Sequence, residues 1–204
     1  MQAAELRNDP FRRITVVPFT GVFGAEISGV DLNNLDDETV AEIREALLRY
    51  SVVFFHGQDF TPDAQAAFGR RFGVLNRHPY VKPMDGYPDV FRIVKEPTDK
   101  HTNANTYGKD ANRFKDGVSK AMSVQPAAVK EVAHPVIRTH PETGRKGLYL
   151  SPIHFSRFEG MTPEESKPLF DTLVAHATGP EVTCRFRWKN GSVAMWDNRC
   201  TMHY

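Results

Sequence analysis

The chain has 204 residues, 40% of them hydrophobic and 11% aromatic, enough to fill one sizeable core. Its 26 basic and 25 acidic side chains leave a net charge of +1, without the basic excess of a dedicated nucleic-acid binder. No apolar run approaches the ~20 residues of a bilayer span, the start lacks the apolar core of a secretory signal, and Cys184 and Cys200 form neither a metal-type pair nor a disulfide framework; a cytoplasmic protein is expected.

Residues 14 to 31 read as short strands broken by Gly21, Gly24 and Gly29. NLDDETVAEIREALLRY reads as a helix capped by Asp36 or Asp37, with Val40, Ile43, Leu47 and Tyr50 at helical spacing. The continuous apolar run in SVVFFHG suits a buried strand. Thr61-Pro62 opens a second helix, whose apolar face is Ala64, Ala67, Phe68 and Phe72 and whose stop is Gly73. Thr98 to Glu131 is polar and without period. A structureless stretch of that length is unusual inside a domain, and it reads as a lid, an insertion or a join where residues are missing.

Order returns at HPVIRTHPETGRKGLYLS, two strand-like runs around a turn. Thr162-Pro163-Glu164-Glu165 is a capping box that opens a helix carrying Leu169, Phe170, Leu173 and His176, stopped by Gly179-Pro180. Val182, Cys184, Phe186 and Trp188 then alternate with polar neighbours, and Asn190-Gly191 signals a two-residue hairpin into the last strand. The strands look hairpin-connected, which favours an antiparallel sheet core with helices outside it, an α+β or mainly β class.

That last strand runs into WDNRCTMHY. Asp197 and Asn198 can shape a turn, Arg199 can pair with Asp197 or another carboxylate, and His203 lies just past the turn. Spacing alone leaves His203 open between a surface histidine and a metal ligand. The segment FRWKNGSVAMWDNRCTMHY resembles the C-terminal signature of the taurine dioxygenase/TfdA-like family of non-haem iron(II), 2-oxoglutarate-dependent dioxygenases. Three further blocks are similar to that family in the family's order: VPFTGVFGAEISGVDL, VVFFHGQDFTPDAQAAFGRRFGVLNRHP and HPVIRTHPETGRKGLYLS.

The resemblance implies a single dioxygenase domain over residues 1–204 with a double-stranded β-helix (jelly-roll, cupin-like) core and flanking helices. It implies Fe(II), 2-oxoglutarate and O2 as the cofactor set, with the metal held by two histidines and one carboxylate on one face. His203 matches the distal ligand. His78 matches a contact to the anionic head of the substrate, and His154 falls where a side chain lines the substrate pocket. The implied reaction hydroxylates a small, anionic organic substrate (a sulfonate, alkyl sulfate or related acid) and releases succinate and CO2. The partners are then a small molecule, with neither nucleic acid nor membrane, and a homo-oligomer is left open.

The sequence departs from the family in two places. The near iron pair, His-x-Asp, is not found: His101-Thr102-Asn103 offers a neutral amide in place of an anion, and His140-Pro141-Glu142 has the spacing but lies in a hairpin. The arginine that clamps 2-oxoglutarate, roughly ten residues past the distal histidine, would fall beyond Tyr204. The domain is therefore expected to be incomplete near residues 107–110 and after 204. The competing reading is a non-catalytic jelly-roll protein that binds a small molecule without a complete metal triad.

Overall fold

The structure, a computed structural model, describes residues 10–77, 83–92, 132–152 and 154–203. Contacts group these into two units. One comprises the described residues of 10–60 with 179–201, the other those of 61–178 with 202–203.

The first unit is built on a four-stranded mixed sheet, formed in order by residues 15–18, 25–28, 52–55 and 193–196. Strands β1 (Thr15–Pro18) and β2 (Ala25–Ser28) pair antiparallel, Val16 opposite Ile27. The tight link between them closes with Phe19 N–H donating to the Gly24 carbonyl at 2.8 Å. Helix α1 (Asp37–Tyr50) then carries the chain to β3 (Val52–Phe55), which runs parallel to β2 with Ala25 opposite Val53. Parallel strands need such a crossover, because a short turn cannot bring the chain back to the same end of the sheet. Asp36 caps α1 by accepting from Thr39 N–H at 2.7 Å, and Val40, Ile43, Ala46, Leu47 and Tyr50 are buried, as the helical spacing predicts. Ser51 ends the helix in the left-handed region (φ 67°), its N–H reaching the Leu47 carbonyl at 2.7 Å. All four residues of β3 are buried, as a strand with neighbours on both edges and packing on both faces requires.

Two expectations are corrected here. The strands of this unit are not all hairpin-connected, since β2-α1-β3 is a parallel crossover. Residues 183–189 form no strand either, although they alternate. The Asn190-Gly191 turn forms, with Ser192 N–H donating to the Lys189 carbonyl at 3.0 Å, but the strand it leads to, β6 (Val193–Trp196), pairs antiparallel with β3. The alternation serves face packing instead. Cys184 lies against Gly24, and Phe186 stacks on Phe54 with ring centroids 4.3 Å apart. Period two can report contact with a sheet's face as readily as membership of the sheet.

The second unit holds α2 (Pro62–Arg70), the hairpin of β4 (Ile137–Thr139) and β5 (Lys146–Leu148), and α3 (Pro163–Ala177). Thr61 caps α2, accepting from Ala64 N–H at 3.2 Å, with Pro62 in its first turn. The helix stops at Arg70, short of Gly73, and buries Ala66 and Phe68, whereas Ala67 of the expected face is exposed. The β4–β5 hairpin forms where the sequence places it, Ile137 opposite Leu148. The capping box of α3 is complete: Thr162 Oγ1 accepts from Glu165 N–H at 3.2 Å, and the Glu165 carboxylate accepts from Thr162 N–H at 2.8 Å. Of the residues of α3 only Ser166 is buried, and Phe170 stacks on Phe155 at 3.8 Å.

Candidate metal centre

The chain leaves β6 at Trp196, and the next backbone group, Asp197 N–H, donates to the Ser51 carbonyl at 2.9 Å. The first residue of the turn is thereby fixed to the C-terminal cap of α1. Asp197 is 7% exposed, and a buried carboxylate needs compensation. Arg199 supplies it as a fork: Nε donates to Oδ1 at 2.8 Å and Nη2 to Oδ2 at 2.5 Å, and the Arg199 backbone N–H adds a third bond at 2.9 Å. The Asp197 carbonyl accepts from Cys200 N–H at 3.1 Å and from Thr201 Oγ1 at 2.8 Å, and Trp196 Nε1 donates to Asn198 Oδ1 at 2.8 Å. WDNRCT is thus a self-bonded turn. Both oxygens of Asp197 face a guanidinium, and the charge of Arg199 is directed at Asp197.

His203 is exposed, in chain without regular secondary structure, and belongs to the second unit. His154 lies in an exposed turn after β5, its Nδ1 2.8 Å from Ser151 Oγ. His78 lies outside the described residues, as do His101 and Asn103. His140, which carries the formal His-x-Glu spacing, is buried at the end of β4. Its Nδ1 receives the backbone N–H groups of Thr143 at 3.1 Å and Glu142 at 3.3 Å, so the ring fastens its own hairpin turn. His56 is a packed histidine: Nδ1 meets Ser192 Oγ at 3.0 Å and the ring stacks on Phe186 at 4.7 Å. Sequence reasoning foresaw the Asp197–Arg199 pair as one of two options but missed the tie of Asp197 to Ser51. No residue type signals a bond made by a main-chain carbonyl.

The sequence profile of the family described as "Taurine catabolism dioxygenase TauD, TfdA family" matches residues 15–116 and 111–204. The chain belongs to the TauD/TfdA family. An alpha-ketoglutarate-dependent sulfate ester dioxygenase of Pseudomonas putida is 32% identical over 254 aligned positions, covering 94% of this chain and 83% of its own. An alkylsulfatase of Acinetobacter baylyi is 29% identical over 257 positions, covering 96% of this chain and 81% of its own. A taurine dioxygenase of Burkholderia xenovorans has a crystal structure that overlays with a TM-score of 0.69 at 34% identity, over 93% of this chain and 81% of that one. The class read from the C-terminal motif is borne out: this is a TauD/TfdA member, of the 2-oxoglutarate-dependent non-haem iron dioxygenases, whose cofactor set is Fe(II), 2-oxoglutarate and O2.

Membership alone does not supply the donors. A facial iron site needs two imidazoles and a carboxylate with lone pairs directed at one point. His203, expected from the sequence to be the distal ligand, is exposed on chain without regular secondary structure. The lone pair of His140 at Nδ1 is taken by two N–H groups, and the Asp197 carboxylate is taken by Arg199. No His-x-Asp occurs within the 204 residues. Among the described residues, His203, His140 and Asp197 do not make a complete iron triad.

Proposed function

We propose that the protein hydroxylates a small, anionic organosulfur substrate, an alkyl sulfate first among the sulfonates, sulfate esters and related acids that its family suggests. The observation that carries this reading is the sulfate ester dioxygenase, similar along 94% of this chain. Hydroxylation at the carbon bearing the sulfate would leave a hemiacetal sulfate, which collapses to an aldehyde and inorganic sulfate. 2-Oxoglutarate would leave as succinate and CO2. We place the single domain in the double-stranded β-helix architecture of the family, with the near iron pair supplied by residues that the relatives carry between the two matched pieces. Two observations support that placement: the aligned span of 257 positions exceeds the 204 residues of this chain, and the family profile matches in two pieces that meet at residues 111–116.

Within this chain we assign His203 as the distal iron ligand and His78 and His154 as contacts to the substrate. Ser151 holds the His154 ring through Nδ1, so Nε2 is the atom that would meet an anionic oxygen. We place the protein in the cytoplasm, where 2-oxoglutarate is supplied and cysteines such as Cys184 and Cys200 stay reduced. Among the described residues no helix is long and apolar enough to cross a membrane.

The test uses a version into which the intervening residues of the Pseudomonas putida relative are grafted at residues 111–116. Given Fe(II), 2-oxoglutarate and a medium-chain alkyl sulfate, it should release sulfate and succinate in equal amounts, with His154→Ala raising KM more than it lowers kcat. Succinate release that no sulfate ester or sulfonate stimulates would count against the substrate class. A second reading, small-molecule binding without catalysis, is favoured by one specific observation, the missing His-x-Asp.

A further inference from the structure

We infer that His140 and Asp197, the described donors that come closest to the near iron pair, serve the fold and not a metal, so that the described residues of this chain do not by themselves make a facial iron(II) site. The inference rests on the family assignment and is independent of which substrate the family reaction would take.

The argument is one of lone pairs. A histidine followed two residues later by a carboxylate occurs once in the chain, as His140-Pro141-Glu142. A neutral imidazole has a single basic lone pair. In His140 that pair sits on Nδ1, because two backbone N–H donors point at this atom, Thr143 at 3.1 Å and Glu142 at 3.3 Å. The ring proton is therefore on Nε2. Binding iron there would require either removing that proton to give an imidazolate, or moving it to Nδ1, where it would oppose two N–H groups in a buried turn. His140 is 8% exposed, so water cannot relieve that conflict. The residue's main chain also closes the hairpin, His140 N–H donating to the Arg145 carbonyl at 2.8 Å and Gly144 N–H donating to the His140 carbonyl at 2.9 Å. Releasing the side chain would loosen the turn that carries Glu142. These facts assign His140 a structural task that uses the atom a ligand would need.

The carboxylate nearest in sequence to His203 with any burial is Asp197, and it is no better as a donor. Its two oxygens accept from Arg199 Nε and Nη2 at 2.8 and 2.5 Å. A divalent cation there would meet a guanidinium already in contact with the carboxylate and would have to displace it. Of these three side chains only His203 then remains, one imidazole on exposed chain, and one imidazole does not make a facial site.

The experiment titrates Fe(II) anaerobically into the 204-residue chain against a chromogenic chelator, with and without 2-oxoglutarate, after circular dichroism has shown a cooperative melt. Expected is no stoichiometric uptake and no iron–2-oxoglutarate charge-transfer band. One Fe(II) retained per chain would overturn the inference. A second arm holds even if the short chain melts without cooperativity. In the grafted version described above, His203→Ala should weaken Fe(II) binding by more than about 100-fold, because it removes a direct ligand, whereas His140→Ala should leave it unchanged. Loss of iron on His140→Ala would likewise overturn the inference. The two failures are separable: iron on the short chain defeats this inference and leaves the dioxygenase reading standing, and a folded grafted version that takes up no iron defeats the dioxygenase reading alone.

Discussion

Gly191 shows how one residue can decide where a strand goes. Its φ of +73° lies in the left-handed region, and a Cβ placed on it would fall 2.7 Å from the Gln58 carbonyl oxygen, while its own carbonyl accepts from Gln58 N–H at 2.8 Å. Any side chain here strains the backbone and separates the start of β6 from the residues that follow β3. Gly191→Ala should cost about 2–3 kcal/mol, roughly 1 from the left-handed conformation and the rest from overlap with a bonded main chain. Urea unfolding measures it, and a loss below about 0.5 kcal/mol would show that the turn is not held as described. The Asp197–Arg199 fork predicts a second cost. Arg199→Ala leaves a carboxylate whose side chain is 5% exposed facing no fork, but the arginine is itself 43% exposed, which discounts the pair to about 2 kcal/mol. Arg199→Lys keeps the charge and loses the two-point geometry, so it should fall between the wild type and the alanine variant in the same unfolding assay. The pair was legible in the sequence because aspartate and arginine two residues apart in a turn have few better partners. The close approach of Gly191 to Gln58 was not, because nothing in Asn190-Gly191 says which strand the turn will serve.

Elements are held in place by bonds that cross between them, and Glu42 of α1 is an instance. Its carboxylate accepts from the backbone N–H groups of Arg12, Arg13 and Ile14 at 2.9 to 3.3 Å, which ties the segment leading into β1 to the helix. Burial pushes the Glu42 carboxyl up, but the three N–H groups and the Arg13 charge outweigh it and hold the group below its usual value of 4.5. A folded-state value below the unfolded one means the carboxylate contributes stability fully above about pH 4.5, and that this contribution is lost as pH falls through the depressed folded value. Glu42→Gln should therefore destabilise the protein at pH 7 and flatten the acid side of its stability profile. Parallel wild-type and variant profiles between pH 7 and pH 3 would refute the tie. The amphipathic pattern of α1 was plain in the sequence, since Val40, Ile43, Leu47 and Tyr50 carry it. That Glu42 would serve the opposite face was not, because acceptors of main-chain N–H groups leave no periodic trace.

At the scale of the whole molecule, sequence blocks and sheet topology were legible to different degrees. Among the described residues the six strands and three α-helices all fall where apolar runs, turn signals and helical spacing place them, but β6 pairs with β3 instead of with the residues before Asn190-Gly191. Pairing partners depend on contacts between distant residues, which local patterns do not record, and so the parallel β2–β3 pair was missed as well. Burial is also unevenly distributed. In the first unit Ile27, Ile43, Val53 and Phe55 are each no more than 2% exposed, in β2, α1 and β3. In the second unit all three residues of β4 are exposed, and α3 buries only Ser166 and leaves Leu169 47% exposed. Amides exchange with solvent through local openings whose cost rises with the apolar contacts that must be broken. Hydrogen exchange should thus be slowest in β2, β3 and the middle of α1, and faster by orders of magnitude in the β4–β5 hairpin and the C-terminal half of α3. Within α3 the first turn should outlast the last, because its capping box holds two N–H groups and Ser166 Oγ accepts from Phe158 N–H at 2.9 Å. Mass-spectrometric exchange on peptides spanning these elements reads the gradient directly. Protection of α3 equal to that of β3 would mean that the second unit draws stability from contacts other than the apolar burial described for it.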